Sequence, residues 1–537
     1  MNLGNGLNKK VCYIVDLIYK DKDIDLSLYC NEKTYNLALT PYSFFLLENL
    51  NIQYTTFHES IISVKSFYQK AEEQYNILKK VFIPYKDYQF LLRDIAKVLT
   101  YNLYCDTLIR HIETLKKQNY NIVYITDNPS SNHFLNLHDK KLITQTVTVE
   151  KESFFYHYNK MYYRILQTFN TNIFSLVKKL LNKGQGGGQF NYDNINYQLF
   201  FTKIKLEPFT VKIDLSLLEN LQMDLKRSDI EFDLMPLIRS IENDNTKNMT
   251  LHPFTFLATY KDYKDILLYK LNNIPRIFMQ HGSYLQENLF VQYNEIFPAD
   301  VNFVFNEYTK RNFQRKNAQK VYNVGSINFN YAVKKRKQEY DYLYITYCSS
   351  YDHLAPYISN FKNSLAMDAF DIYKRHQSII ELFGTKFKDK KLCMKIQPGI
   401  MNGSMLYIPL MELSNKYENI TIEFSVPIAK LIEKSKYIVS DYFSSDFINR
   451  ELHYKRDIIM FGGAPTPLPE EVYDDMQKMF ILVNSVQELE NTLKDIETIS
   501  KNRTRNDEII EYYSSRKCDT KKLVTQVLEK ELYEKRR

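Results

Sequence analysis

The 537 residues predict two or three domains with ample hydrophobic cores, and the composition (44% hydrophobic, 25% charged) is typical of a soluble globular protein. The formal net charge of +8 fits an anionic donor, polymer or lipid surface and does not indicate nucleic-acid binding. No stretch approaches the roughly 18 apolar residues of a membrane span, and the apolar run after Lys9 and Lys10 is too short for a signal peptide.

The first 126 residues alternate between short β-prone runs and helical patterns, which favours an α/β sheet. Pro41 can begin one helix, because proline suits the first helical position. Apolar residues at steps of three and four predict two longer helices. The predicted strands are Val11–Asp16, Tyr35–Thr40, Ile52–Thr55 and Asn121–Thr126, and the predicted helices are Tyr42–Asn49, Ser66–Phe82 and Leu91–Gln118.

Two polar segments of this half each allow a functional and a structural interpretation. Asp21, Asp23 and Asp25 match either an Asp-x-Asp metal motif or a solvated turn, and hard cations need several converging oxygens. The loop Asp127–His133 follows a strand, where α/β folds bind ligands, although polar loops are often mere connections. Asp127 is therefore a candidate cleft residue, and no metal site is predicted.

Residues 150–250 are interpreted as a helical insertion. The helix predicted at Ser153–Asn182 ends with lysines beside leucines, which fits either a core-facing helix or one lying on a membrane surface. The run Gly184–Gly188 follows a helix and lacks a Gly-Lys-Ser/Thr ending, so it predicts a flexible linker rather than a phosphate loop.

Three strands with small polar residues at their ends precede the basic stretch Val333–Glu339, which we take as a domain boundary. Such ends suit one side of a cleft. The strands are Ile274–Gln280, Asp300–Phe305 and Val321–Val324, the helix Glu307–Asn317 lies between the last two, and the polar ends include His281, Gly282, Ser283, Gly325 and Ser326.

A second α/β unit follows at residues 336–497, after an N-terminal unit at 1–335. We expect the chain to leave its sheet at Pro465–Pro469 and to end in a helical extension at 498–537, with a break near Ser500–Arg505. The predicted strands are Tyr342–Thr346, Leu392–Ile396, Ile420–Phe424, Tyr437–Val439 and Asp457–Phe461, and a helix is predicted at Glu470–Met479.

The segment Lys436–Phe461 predicts a strand, a polar turn, a helix and a strand. Asp441 ends the first strand, and Ser444 or Ser445 can cap the helix. Such a turn directs backbone N–H groups and two hydroxyls to one place beyond the carboxyl end of a parallel strand, which is typical of phosphate sites. The alternative is an ordinary βαβ turn whose serines only cap the helix.

Three motifs resemble those of the CDP-glycerol glycerophosphotransferases, the teichoic acid polymerases, and more loosely those of the bacterial surface-carbohydrate (capsule) transferases. The likeness covers roughly residues 270–465, and Lys395–Pro398 departs from the family's KxHP because glutamine replaces the histidine. The similar segments are Ser440–Phe447 with Asp457–Phe461 (family TDYSS…FD…KPIIFY), Gln280–Ser283 (family WHGT) and Val324–Asn328 (family GxPRND).

The resemblance implies an α/β fold with two Rossmann-like domains facing a cleft (the GT-B layout), the acceptor domain first and the donor domain second. It implies that Ser444, Ser445 and the helix N-terminus hold the donor's pyrophosphate, and that Asp441 orients the turn or the nucleotide. Gln397 and Ser326 are the further implied donor contacts. The implied donor carries cytidine, as CDP or CMP, and no cofactor is expected.

His281 is the predicted general base, because an imidazole that titrates near neutrality suits the proton of an acceptor hydroxyl. The alternative is a structural histidine bonded to a backbone carbonyl. Ser349 and His353, after the first strand of the second unit, are candidate cleft residues, whereas His376 and His453 are weaker candidates.

The leading hypothesis is a transferase that moves a sugar or polyol phosphate from a nucleotide-activated donor to a growing surface polymer. The acceptor would be a glycan, a polyol phosphate or a lipid-linked chain. The alternatives are a nucleotide-sugar epimerase of the same layout and a non-catalytic component of capsule assembly.

The six cysteines are scattered, without a CxxC pair or zinc spacing, so we expect packed thiols in a cytoplasmic protein. We expect any membrane contact to be peripheral, at the inner face of the cytoplasmic membrane.

Overall fold

The described residues form three parallel β-sheets with helices packed on their faces, so the predicted α/β class is confirmed. The structure, a computed structural model, describes residues 10–17, 24–85, 89, 92–127, 132–149, 216–228, 235, 255–257, 276–280, 299–315, 320–326, 337–346, 369–395, 407–423, 426–441, 457–461, 470–503 and 506–534. The predictions for the Ser153–Asn182 helix and the Gly184–Gly188 linker lie outside the described residues.

The N-terminal sheet has five strands in the order β3-β2-β1-β4-β5, all parallel. Pro41 begins α1, as predicted, and Thr40, which the sequence placed in the preceding strand, caps this helix. The third strand begins three residues later than predicted and ends at Thr56, which forms the capping box of the next helix with Glu59. The elements are β1 (Lys10–Asp16), β2 (Tyr35–Ala38), α1 (Pro41–Asn49), β3 (Thr55–Thr56), α2 (Phe57–Ser60), α3 (Val64–Val81), α4 (Leu92–Lys117), β4 (Tyr120–Thr126), α5 (Asn132–Asp139), β5 (Gln145–Thr148) and α6 (Ser216–Arg227).

The middle sheet has four parallel strands in the order β6-β7-β8-β9. One face of it carries a buried apolar row that includes Ile277, Met279 and Phe303, and this row packs against the last helix of the chain. The elements are β6 (Thr255–Leu257), β7 (Arg276–Met279), β8 (Val301–Val304), α7 (Glu307–Arg315) and β9 (Lys320–Asn323).

The C-terminal sheet has six parallel strands in the order β12-β11-β10-β13-β14-β15, which is the order of a doubly wound Rossmann sheet. The prediction that the chain leaves this sheet at Pro465–Pro469 is wrong. The elements are β10 (Tyr340–Ile345), α8 (Ala369–Thr385), β11 (Leu392–Lys395), α9 (Tyr407–Ser414), β12 (Ile420–Glu423), α10 (Ile428–Glu433), β13 (Ser435–Ser440), β14 (Ile458–Phe461), α11 (Glu470–Met479), β15 (Ile481–Val483) and α12 (Val486–Asn502).

The strand β15 explains that error. After α11 the chain returns to the sheet and pairs Ile459 with Ile481. α11 is therefore the crossover helix of one more parallel unit. The apolar run Met479–Val483 starts at the last residue of α11, and so short a run cannot be told from the end of a buried helix by its pattern.

Helix α14 (Thr520–Glu534) packs against the middle sheet, whereas α13 (Asp507–Tyr513) packs with Tyr308 of α7 in the core of the C-terminal sheet. Val524 and Leu528 of α14 share a core with Val301, and Asn306 donates a 2.8 Å hydrogen bond to the carbonyl of Tyr513. The C-terminal extension thus contacts residues that the sequence assigns to the first domain. The domain boundaries themselves stay predictions.

The N-terminal and C-terminal sheets share one hydrophobic core through α1 and α8. Phe44 packs edge-on against Phe370, with ring centroids 5.2 Å apart. Glu48 accepts a 3.1 Å hydrogen bond from the hydroxyl of Tyr373 and forms an ion pair with Lys374. Helix α8 therefore links the two Rossmann-like sheets.

Within the described part of the chain, no helix is long and apolar enough to cross a membrane. Four cysteines are buried as free thiols, as the expectation of packed thiols requires, and Cys518 is half-buried; the four are Cys12, Cys30, Cys105 and Cys393. Cys348 lies outside the described residues.

Candidate functional site

The strands β10 and β13 lie side by side where the strand order of the C-terminal sheet reverses. Open α/β sheets bind ligands beyond the carboxyl ends of their strands at such a switch point. Ser440 is the last residue of β13, and Asp441 follows it at this edge, as predicted. Ser444 and Ser445, three and four residues further on, lie outside the described residues.

Asp441 is buried, with 1% of its surface exposed, and side chains of β10 and α8 hold its carboxylate. The hydroxyl of Tyr344 donates to Oδ2 of Asp441 at 2.7 Å, and the hydroxyl of Thr346 donates to the same oxygen at 3.0 Å. Nε2 of His376 lies 3.5 Å from that oxygen. The carboxylate is therefore directed into the sheet and fixed from two elements.

The direction of these hydrogen bonds assigns the proton on His376. A threonine hydroxyl carries one proton, and Thr346 uses it toward the carboxylate of Asp441, which can only accept. Nε2 of His376 lies 2.6 Å from the oxygen of Thr346, so the ring must donate in that contact. The order of donation is His376 to Thr346 to Asp441.

The charge state of Asp441 follows from its neighbours. Burial alone would raise the pKa of Asp441, but the hydrogen bond and charge of His376, the charge of Arg375 and the hydrogen bond from Tyr344 together hold it below its ordinary value. Burial and the nearby carboxylate raise the pKa of Tyr344 well above its ordinary value, so that hydroxyl remains a donor. Asp441 is thus a buried, ionised carboxylate.

Ser440 has a structural contact of its own. Its hydroxyl donates to the backbone oxygen of Ile345 at 2.9 Å, and the N–H of Asp441 donates to the same oxygen at 3.4 Å. These bonds continue the pairing of β13 with β10 to the last residue of the strand.

Lys395, the first residue of the Lys395–Pro398 motif, is a buried cation at the end of β11. It is 5% exposed and lies in one row with Ile345 and Ser440. Burial lowers its pKa to about 8, although the charge of Glu423 on the next strand acts in the opposite direction. Gln397, two residues further on, lies outside the described residues.

Gly325 and Ser326, at the end of β9, contact the segment between α13 and α14. The N–H of Ser326 donates to the hydroxyl of Ser515 at 2.8 Å, and the thiol of Cys518 donates to the carbonyl of Val324 at 3.0 Å. Gly325 has a φ of +71°, and a Cβ atom there would lie 2.4 Å from the backbone oxygen of Arg516. This segment covers the end of β9, and the part of Ser326 in donor binding stays a prediction.

Asp127 is buried at the carboxyl end of β4 in the N-terminal sheet. Asp16, at the end of the neighbouring β1, pairs with Thr126 and accepts a 2.9 Å hydrogen bond from Tyr124. The two carboxylates thus end the two central strands of this sheet. Asp25 caps a short 3-10 helix at Leu26–Leu28, whereas Asp21 and Asp23 lie outside the described residues. Among the residues that the structure describes, no three or more His, Cys, Asp or Glu side chains form a group that could hold a metal ion.

The predicted general base, His281, lies directly after a described residue, Gln280. The side chain of Gln280 accepts a 2.6 Å hydrogen bond from the N–H of Phe305, which fixes the end of β7 against β8. The following predicted site residues lie outside the described residues, so their roles stay predictions: His281, Gly282, Ser283, Ser349, His353, Gln397, Ser444 and Ser445.

No protein-family model and no curated protein matches the chain. Among solved structures, it is similar to UDP-GlcNAc 2-epimerase from Neisseria meningitidis bound to UDP-GlcNAc, with 13% identity and a TM-score of 0.35 over 59% of this chain and 89% of that one. It is also similar to Acinetobacter baumannii MurG, with 11% identity and a TM-score of 0.29 over 79% of this chain and 95% of that one. A third similar structure is CalG4, the calicheamicin glycosyltransferase, with 9% identity and a TM-score of 0.32 over 78% of this chain and 93% of that one. Scores of this size show neither a common family nor a common activity. What the molecule itself shows is an α/β fold with Rossmann-like strand order.

Proposed function

We propose that this protein is a transferase that moves a sugar or polyol phosphate from a nucleotide-activated donor to a surface-polymer acceptor. The observation that carries the proposal is the buried carboxylate of Asp441 at the switch point of the C-terminal sheet, fixed by Tyr344 and Thr346. These two hydrogen bonds hold Asp441 in place, and Asp441 belongs to the sequence motif that resembles the donor-binding motif of the glycerophosphotransferases.

Asp441 acts on the donor indirectly in this proposal. A carboxylate repels phosphate, and that of Asp441 is directed toward Tyr344 and Thr346 within the sheet. Its role is to fix the backbone from which Ser444, Ser445 and the following N–H groups reach the pyrophosphate. Donors fixed in this way stabilise the charge that develops as the nucleotide leaves. No metal is required by this arrangement.

The acceptor side of the proposal rests on His281, at the end of the β7 strand. The imidazole would take the proton of the acceptor hydroxyl as that oxygen attacks the donor. The acceptor would be a glycan, a polyol phosphate or a lipid-linked chain at the inner face of the membrane. Cytidine is the favoured base, because the Ser-Ser turn resembles that of CDP- and CMP-using transferases.

A thermal-melting screen of CDP, CMP, UDP and GDP tests the donor. A ligand at about a hundred times its dissociation constant stabilises a protein by about 2.7 kcal/mol. We expect CDP or CMP to give the largest shift, with and without EDTA. A larger shift with UDP or GDP would overturn the cytidine assignment. A shift that EDTA abolishes and one divalent ion restores would overturn metal-independent binding.

Product analysis then separates a transferase from an epimerase. The purified protein is incubated with the nucleotide-activated donor, with and without a polyol-phosphate acceptor primer. A transferase releases the free nucleotide and extends the primer only when both are present. Conversion of the sugar nucleotide into an isomer without any acceptor would identify an epimerase instead.

A further inference from the structure

We propose that His376 is a positioning residue for the donor site: by donating to Thr346 it fixes the carboxylate of Asp441, and thereby the start of the proposed donor turn. The inference rests on the proposed function, since it concerns the same site. It extends that function to His376 on α8, a weaker candidate from its sequence context alone.

The first argument is burial. His376 is 0% exposed and Asp441 1% exposed, and the ring of Tyr344 lies edge-on to the imidazole, with centroids 5.8 Å apart. Buried polar groups are costly unless they are hydrogen-bonded. Apolar side chains of similar volume would hold α8 against the sheet without that cost. Because this buried polar network lies at the carboxyl edge of the sheet, we infer that its role is to hold Asp441 in place.

The second argument is the contacts of the imidazole. Nε2 of His376 lies 2.6 Å from the oxygen of Thr346, which itself donates to Asp441, and 3.5 Å from Oδ2 of Asp441. The imidazole therefore contacts both the carboxylate and the threonine that donates to it. Removal of the ring takes away both contacts and leaves the carboxylate with the hydroxyls of Tyr344 and Thr346 and the charge of Arg375 among these neighbours.

The third argument is that four consecutive residues of α8 make two separate sets of contacts, one with the N-terminal unit and one with the C-terminal sheet. Tyr373 and Lys374 contact Glu48 of the N-terminal unit. Arg375 lies over the ring of Phe461, 4.7 Å from its centroid, and His376 reaches Thr346. Lys374 therefore offers a matched control, because its replacement disturbs the same helix without touching the Asp441 network.

The test compares CDP binding by wild type, His376→Leu, His376→Gln, Thr346→Val and Lys374→Met, using isothermal titration calorimetry and urea unfolding. If wild type prefers CMP, UDP or GDP in the melting screen, that nucleotide replaces CDP. We expect His376→Leu and Thr346→Val each to weaken binding about tenfold, equivalent to about 1.4 kcal/mol. His376→Gln, whose amide can donate from the place of Nε2, should recover most of the affinity. Lys374→Met should bind like wild type.

Unchanged affinity in a folded His376→Leu variant would overturn the inference. If that variant does not fold, the same result for Thr346→Val overturns it. Equal weakening by Lys374→Met would also overturn it, because the effect would then come from general destabilisation of α8. If wild type binds none of the four nucleotides, both the proposed function and this inference are wrong. If wild type and the variants bind with equal affinity, only the inference is wrong.

Discussion

The hydroxyl of Tyr344 on β10 donates a 2.7 Å hydrogen bond to the carboxylate of Asp441, which follows the neighbouring strand β13. Asp441 lies two residues beyond Val439, the register partner of Tyr344. The N-terminal sheet has the same contact with the same offset. There Asp16 lies two residues beyond Ile14, the register partner of Tyr124, and the hydroxyl of Tyr124 donates to the carboxylate of Asp16 at 2.9 Å.

In both sheets these pairs lie on the two central strands, at the switch point. The tyrosine carries its hydroxyl to the carboxyl edge while its ring fills the core. The two Rossmann-like sheets thus share a tyrosine–aspartate contact at their carboxyl edges, and the C-terminal sheet adds His376 and Thr346 to it.

The first prediction concerns the charge of Asp441. Because the folded state lowers its pKa, its contribution to stability is present above the ordinary carboxyl pKa of about 3.9 and is lost as the pH falls through the lower folded value. Asp441→Asn should lose about 1–3 kcal/mol of unfolding free energy at pH 7. The loss should shrink below about pH 4, as measured by urea titrations at several pH values.

Glu508→Gln, an exposed carboxylate in the first turn of α13, serves as the control for Asp441→Asn. It should leave the unfolding free energy close to that of wild type at every pH. An Asp441→Asn protein as stable as wild type at neutral pH would show that the carboxylate charge is not used in the fold.

The second prediction concerns Lys395. Its folded pKa of about 8 lies below that of a free lysine, so between these values the unfolded chain binds a proton that the folded protein has lost. Stability therefore rises with pH across this window. Lys395→Met should raise the unfolding free energy at pH 7 by about 1–3 kcal/mol, since one pKa unit is worth about 1.36 kcal/mol.

The advantage of Lys395→Met over wild type should also fade toward pH 10. Denaturant titration from pH 7 to 10 measures it, and Lys391→Met, at an exposed position just before β11, is the control. A destabilised Lys395→Met protein would mean that the ammonium group makes a net favourable contact in the fold.

The third prediction concerns Gly325. An L side chain in the left-handed region costs roughly 1–2 kcal/mol, and a Cβ atom would in addition meet the backbone oxygen of Arg516 at 2.4 Å. Gly325→Ala should lower the unfolding free energy by about 2 kcal/mol or more and speed hydrogen exchange in the segment between α13 and α14. Ser326→Ala, which keeps the backbone bond to Ser515, should show neither effect to the same degree.

The fourth prediction concerns His281. His281→Ala should lower turnover by about 10²–10⁴-fold, the usual contribution of a positioned base, and leave nucleotide affinity unchanged. The wild-type rate should fall at acidic pH as the imidazole is protonated, and the variant should lack that limb. Turnover near the wild-type value, or failure to fold, would assign His281 a structural role and direct the search to Asp127, His133 and Glu287.

Much of the fold could be predicted from patterns along the chain. Continuous apolar runs such as those of β4 and β10 identified buried parallel strands, and Pro41 marked a helix start. β15 was missed because its apolar run, Met479–Val483, begins at the end of α11 and is too short to be distinguished from a buried helix segment. The C-terminal segment against Gly325 escaped because a contact between residues almost two hundred positions apart leaves no local signal.

The candidate site was predictable where it follows a strand end, as at Asp441, and not where it depends on tertiary contact. His376 lies in a helical pattern, and only the packing of α8 on β10 brings it to Thr346. Lys395 was visible in the motif that it begins, but its burial and lowered pKa come from neighbouring strands. A polar residue at a helical core position was the one available signal for His376.

The most direct test of the account is nucleotide binding to the turn itself. Calorimetry compares the affinity of wild type and of the Ser444→Ala, Ser445→Ala double variant for CDP, with unfolding curves to show that both are folded. We predict a folded double variant that binds CDP at least tenfold more weakly, since each lost charge-assisted hydrogen bond is worth about 1.5–3 kcal/mol. Equal affinity in the two proteins would contradict the account, because the serines would then only cap the helix.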